Sequence, residues 1–142
     1  LAAALAPLRS DGLRIAVDDV GAGFSSMRHI LRLSPELIKL DRTIVAGIDN
    51  DPNQRALCAA MVSFSSQIGA SLVAEGIESI HQFHQLRILG CEYGQGYLFS
   101  KPLKVADVER LLADKSRWQN ILPPPAGVVA QNPNISHLRL AQ

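Results

Sequence analysis

Four short strand patterns with helical patterns between them constrain this chain more than any other feature. The strands read as Leu13–Val17 running into Asp18 and Asp19, Leu37–Leu40 running into Asp41, Ser71–Glu78, and Gln95–Phe99. Apolar residues at helical spacing place helices over Ser26–Leu33, Pro52–Ile68, Ser79–Leu89 and Val105–Ala113, while Arg42–Ile48 reads as a short turn of helix or an irregular segment. Strand and helix in strict alternation imply parallel strands joined by right-handed crossovers. Four such units amount to half of a (β/α)8 barrel, a fold that takes ~250 residues when complete; this chain has 142.

Each strand also carries a polar residue at or near one end. In the first, Leu13, Ile15 and Val17 alternate with Arg14, Ala16 and Asp18, so Asp18 shares a face with the small Ala16. Two adjacent carboxylates before Gly21 and Gly23 suit a hard divalent cation, since carboxylate oxygens take Mg2+ or Mn2+ and glycine turns without a Cβ clash. The same residues also make an ordinary polar turn. Lys39 and Asp41 share one face of the second strand, where a solvated strand end is the plain alternative. Glu75 and Glu78, three apart, also read as a helix-start pair favoured by the dipole, and Gln95 alone signals nothing. In a (β/α)8 barrel, however, the C-terminal strand ends face one common mouth. There these polar groups can converge.

Composition narrows the class. A net charge of +1 argues against a dedicated nucleic-acid surface, and no apolar run reaches the ~18 residues of a membrane span. The N-terminus lacks a basic stretch and cleavage motif; Leu1–Ala6 reads as the end of a helix, with Pro7 and Ser10-Asp11-Gly12 making a break, and the chain as a piece of a longer protein. Cys58 and Cys91 sit in apolar patterns and read as core residues rather than a disulfide or zinc framework. His81 and His84, three apart on one helix, lack a third ligand in the same element. The domain is expected to span residues 1–113, with residues 114–142, including Pro123-Pro124-Pro125, forming a largely irregular tail.

The segments DDVGAGFSS, LIKLD, VAEGIES and GQGYLFSKPL, in this order and spacing, resemble the second half of the EAL domain family, from about Leu1 to about Leu112. The resemblance implies a TIM-type (β/α)8 barrel of which this chain supplies strands five to eight. It implies a bacterial signalling phosphodiesterase that opens cyclic di-GMP to linear pGpG with two Mg2+ or Mn2+ ions. Asp18 would bridge the metals, Asp19 and Glu75 would hold one of them, and Lys39 would stand beside the attacking water. Gln95 would lie near the nucleotide, with Asp41 and Glu78 supporting the site and its loops. The Glu-Ala-Leu motif, a metal-binding Asn and another Glu belong upstream and are not in this chain. A homodimer, upstream sensory or cyclase domains and a cytoplasmic location are further implications. Val20 and Ala22 stand where the family usually has Phe and Thr, in a loop tied to dimerisation and control. A catalytically silent cyclic di-GMP receptor and an inactive truncated half-barrel are the alternatives; retention of the acids favours an active parent.

Overall fold

The computed structural model describes residues 2–21, 23 and 26–121, together with the backbone of 139–140. Five parallel strands lie in the order β1 (Ala16–Val20), β2 (Leu37–Leu40), β3 (Ser71–Ala74), β4 (Tyr93–Gly94) and β5 (Arg139–Leu140). Helix α1 (Ala2–Ser10) precedes the sheet; α2 (Met27–Leu33) joins β1 to β2, and α3 (Arg42–Val45) with α4 (Pro52–Gln67) joins β2 to β3. Helix α5 (Ile80–Ile88) joins β3 to β4, and α6 (Val105–Ala113) and α7 (Lys115–Ile121) follow. Sequential parallel pairing with a helix in each early connection is half of a (β/α)8 barrel, as the alternation predicts.

One face of the sheet carries the helices. Ile38 and Leu40 of β2 pair in register with Leu72 and Ala74 of β3. They form one apolar cluster with Ile30 of α2, Ile44 of α3, Cys58 and Met61 of α4, and Phe83 and Leu86 of α5. Phe83 is completely buried and meets the edge of Phe99 at 5.8 Å, a T-shaped pair. Burial pushes the thiol of Cys58 up to about 11 and that of Cys91 up to about 12, so both behave as apolar filling at neutral pH.

Local chemistry sets the helix ends. Ser26, Asp41, Asp51 and Ser79 each accept a backbone N–H from the first turn of the following helix. Ser79 and Gln82 bond reciprocally as a capping box, and Gln82 Nε2 also reaches the Ala46 carbonyl at 3.2 Å, tying α5 to the loop after α3.

Several boundaries differ from the sequence expectation. Helix α1 runs through Pro7 and ends at Ser10, so the break falls at Asp11-Gly12 and not at the proline. The first strand begins at Ala16, with the Ile15 N–H donating to Glu36 Oε2 at 2.6 Å, and it continues through both aspartates to Val20. The fourth strand is Tyr93–Gly94, and Gln95–Phe99 is not a strand. That segment instead turns over Ile77, whose N–H donates to the Gln95 carbonyl and whose carbonyl accepts from Leu98, at 3.1 and 2.9 Å. Gly96 allows this approach: a Cβ there would lie 2.1 Å from the Ile77 carbonyl oxygen. The expected tail begins with a helix, α7, whose Trp118 and Ile121 pack on the core; residues 122–138, including the proline run, lie outside the described residues.

Candidate active site

The uncovered face of the sheet presents the chemistry. Strict alternation would send Asp18 and Asp19 to opposite faces, yet ligand oxygens of Asp18, Asp19 and Glu75 lie within 4.8 Å of one another. A β-bulge reconciles the two facts. Val17 pairs with Ile38 and Val20 with Leu40, so β1 spends three residues where β2 spends two. The extra residue is absorbed at Asp19, whose φ of 53° lies in the left-handed region that aspartate tolerates better than most residues. The following turn uses Gly21 at φ 111° and Gly23 at φ 98°, conformations in which a side chain is strained.

Lys39 binds the acids together. Its Nζ donates to Asp18 Oδ1 at 2.8 Å and lies 2.5 Å from Glu75 Oε1. These hydrogen bonds hold the Asp18 carboxyl below its ordinary value and raise the Lys39 ammonium above its own. Gln95, immediately after β4, donates from Nε2 to the same Glu75 oxygen at 2.8 Å. Both donors fall on Oε1, so a cation held by this carboxylate has Oε2 to take. Glu75 follows β3 directly, with its N–H donating to the Leu40 carbonyl at 3.1 Å. Three carboxylates within 4.8 Å of one another, with an ammonium already seated between two of them, form a hard-oxygen donor set that attracts positive charge and suits Mg2+ or Mn2+.

Five of the residues singled out in the sequence, Asp18, Asp19, Lys39, Glu75 and Gln95, are thus brought together. The other two are not. Asp41 caps α3, accepting from the Thr43 backbone at 2.8 Å and from the Thr43 hydroxyl, which hold its carboxyl low. Glu78 is exposed and lines a neighbouring cavity of about 440 Å3 that Gln95 shares. Arg42, Tyr97 and Lys101 also line this cavity, with the Lys101 ammonium 5.6 Å from the centre of the Tyr97 ring. The sequence reading missed these three because strand and helix periodicity says nothing of which polar residues at a helix start, Arg42, or in a loop, Tyr97 and Lys101, line a common cavity. Their nearness to Asp41 and Gln95 in the chain was the available clue. Val20, at a position that departs from the usual family residue, is buried, only 1% exposed; Ala22 lies outside the described residues. His81 is exposed, while His84 sits 5.8 Å from Phe83, ring centre to ring centre.

Known proteins share this arrangement of elements. The cyclic di-GMP phosphodiesterase RocR of Pseudomonas aeruginosa is 41% identical over 99 residues, covering 70% of this chain and 25% of RocR. Among solved structures, Klebsiella pneumoniae BlrP1 in complex with manganese and cyclic di-GMP superposes with a TM-score of 0.66 at 35% identity, covering 70% of this chain and 26% of that one. The EAL domain of Mycobacterium smegmatis DcpA superposes at 0.72 with 33% identity, covering 78% of this chain and 49% of that one. The chain therefore spans only a quarter of the first relative and about half of an isolated EAL domain. The EAL domain family model matches residues 1–102, and the chain belongs to that family, carrying the C-terminal half of its barrel.

Proposed function

We propose that this chain is the C-terminal half of a metal-dependent phosphodiesterase that, completed by the other half of its barrel, hydrolyses cyclic di-GMP to pGpG. The observation that carries the reading is the meeting of Asp18, Asp19 and Glu75 within 4.8 Å, with Lys39 bonded between two of them. Opening the ring adds one water across one phosphodiester. The water oxygen bonds to phosphorus, the P–O3′ bond breaks, and the departing 3′-oxygen ends protonated, leaving a linear dinucleotide with a 5′-phosphate.

Asp18, Asp19 and Glu75 would hold Mg2+ or Mn2+, with the remaining ligands from the other half-barrel. Such ions supply Lewis-acid stabilisation of the phosphoryl oxygens and a more acidic water. Lys39 remains a cation at neutral pH, which suits it to orient the water and to offset charge that grows in the transition state. Gln95 fixes the Glu75 carboxylate, and the cavity beside it, with Arg42, Tyr97 and Lys101, offers two cations and an aromatic face to a nucleotide. The same reading makes the parent a cytoplasmic signalling protein that dimerises and carries sensory or cyclase domains upstream.

The test is made on the domain completed with its N-terminal half. Asp18→Ala should abolish release of pGpG in Mg2+ or Mn2+ with the melting temperature little changed, because Asp18 is a surface residue whose main partner is Lys39. Turnover near the parent level would remove Asp18 from the site. A completed parent domain that binds cyclic di-GMP without hydrolysing it would replace the enzyme reading with a receptor.

A further inference from the structure

Helix α7 lies beyond residues 1–102, the span of the family model, yet it is bonded directly to the loop at the mouth of the site. Arg117 Nη2 donates to the Phe99 carbonyl at 2.6 Å. Phe99 is 5% exposed with Arg117 in place, and the arginine satisfies its carbonyl in a part-buried bond. The arginine is itself held by the start of its helix, its backbone N–H donating to Asp114 Oδ1 at 3.1 Å. Trp118 and Ile121 dock the helix on the core, and the Trp118 indole donates to the Leu111 carbonyl at 3.0 Å.

The loop so gripped runs from Gln95 to Lys101. On its inner side it is bonded to Ile77 through Gln95 and Leu98, and Gln95 reaches Glu75. On its outer side it has Arg117. Tyr97, 60% exposed, stands on the stretch between these fixings, and Lys101, its ammonium 5.6 Å from the Tyr97 ring centre, follows two residues after Phe99. We propose that Arg117 is a positioning residue: by clamping the Phe99 carbonyl it sets the Gln95–Lys101 loop in the conformation that presents Gln95, Tyr97 and Lys101 to the ligand. That these side chains meet ligand rests on the phosphodiesterase reading; the clamping of the loop does not.

Hydrogen exchange on residues 1–142 measures the clamp without any ligand. Arg117→Ala should speed exchange of the Leu98, Phe99 and Ser100 amides about tenfold, since a charge-assisted bond to a shielded carbonyl is lost. Amides of β2 and β3 should keep their rates. Arg117→Lys, which restores one cationic donor, should recover part of the protection. Loop exchange equal to the parent, or an acceleration spread evenly over β2 and β3, would overturn the proposal. Emission from Trp118, the single tryptophan of the chain, reports in the same samples whether α7 stays docked. Undocking with unchanged loop exchange would also overturn it. In the completed domain, Arg117→Ala should weaken cyclic di-GMP several-fold. If the parent domain fails to bind cyclic di-GMP, the phosphodiesterase reading falls while the exchange result still judges the clamp.

Discussion

Replacing Lys39 by methionine removes the charge from the centre of the acidic group and keeps most of the side chain's length. Asp18, Asp19 and Glu75 then face one another with oxygens within 4.8 Å and no ammonium between them. Two unit charges at that distance repel by about 0.9 kcal/mol in bulk water and about 3.5 kcal/mol at an effective dielectric constant of 20. The Asp18 side chain is 61% exposed and that of Glu75 15%, so solvent screens the first strongly and the second weakly. The expected loss for Lys39→Met is about 1–2 kcal/mol at neutral pH and low salt. Urea unfolding of parent and variant, each in chelator and in millimolar Mn2+, measures it. In chelator the variant should unfold at lower urea with an unchanged slope, and added salt should narrow the gap. Mn2+ should narrow it further, because a bound cation relieves the same repulsion. A loss of equal size with and without Mn2+ would mean that Lys39 stabilises the fold by packing alone, and the electrostatic account of the site would be wrong.

Two further outcomes follow from the same structure. Because the Asp18 carboxyl is held below its ordinary 3.8, its share of stability is present above that value and is lost as pH falls through the lowered one. Because Lys39 is raised above its ordinary 10.5, its share is present below that value and is lost as pH rises through the raised one. The parent–variant gap in urea midpoint should therefore hold from about pH 5 to 10 and close on either side; a gap that changes steadily through pH 6–8 would implicate some other group. Gly96→Ala should destabilise by about 3 kcal/mol or more, since the new Cβ would fall on the Ile77 backbone and displace its bonds to Gln95 and Leu98. Thermal melts check this, and a variant as stable as the parent would show that the loop has another packing open to it.

The repeated units and the face that carries the acids were legible in the sequence because both rest on periodicity. Ile38 and Leu40 point one way and Lys39 the other in any extended strand, and Pro52 and Gly69 mark the ends of α4 in any context. The pairing of Asp18 with Asp19 as cation ligands was legible, but the bulge that brings both to one side was not, since alternation places neighbours on opposite faces and only pairing with β2 reveals the additional residue. The fourth strand was misplaced for a related reason. Tyr97 and Phe99 are strong strand formers, but the Leu98 and Phe99 amides donate to Ile77 and Gly96 instead of to a ladder, and this is decided by tertiary approach. Helix α7 escaped because a seven-residue helix with two docked side chains, Trp118 and Ile121, shows too little apolar period to stand out beside a proline run.

The bulge in β1 means that the second aspartate is an insertion in the structural sense. A chain one residue shorter at Asp19 could run an unbroken ladder from Val17 to Val20, with no residue in a left-handed conformation and one acid on the open face. Deleting Asp19 would therefore heal the sheet while taking away a candidate ligand, whereas substituting it would remove the ligand and keep the kink. Regular pairing and a two-acid mouth compete for the same peptide unit. At this position the chain has given up sheet regularity to gain a second charge, so a screen for stability alone would select the shorter and chemically poorer strand.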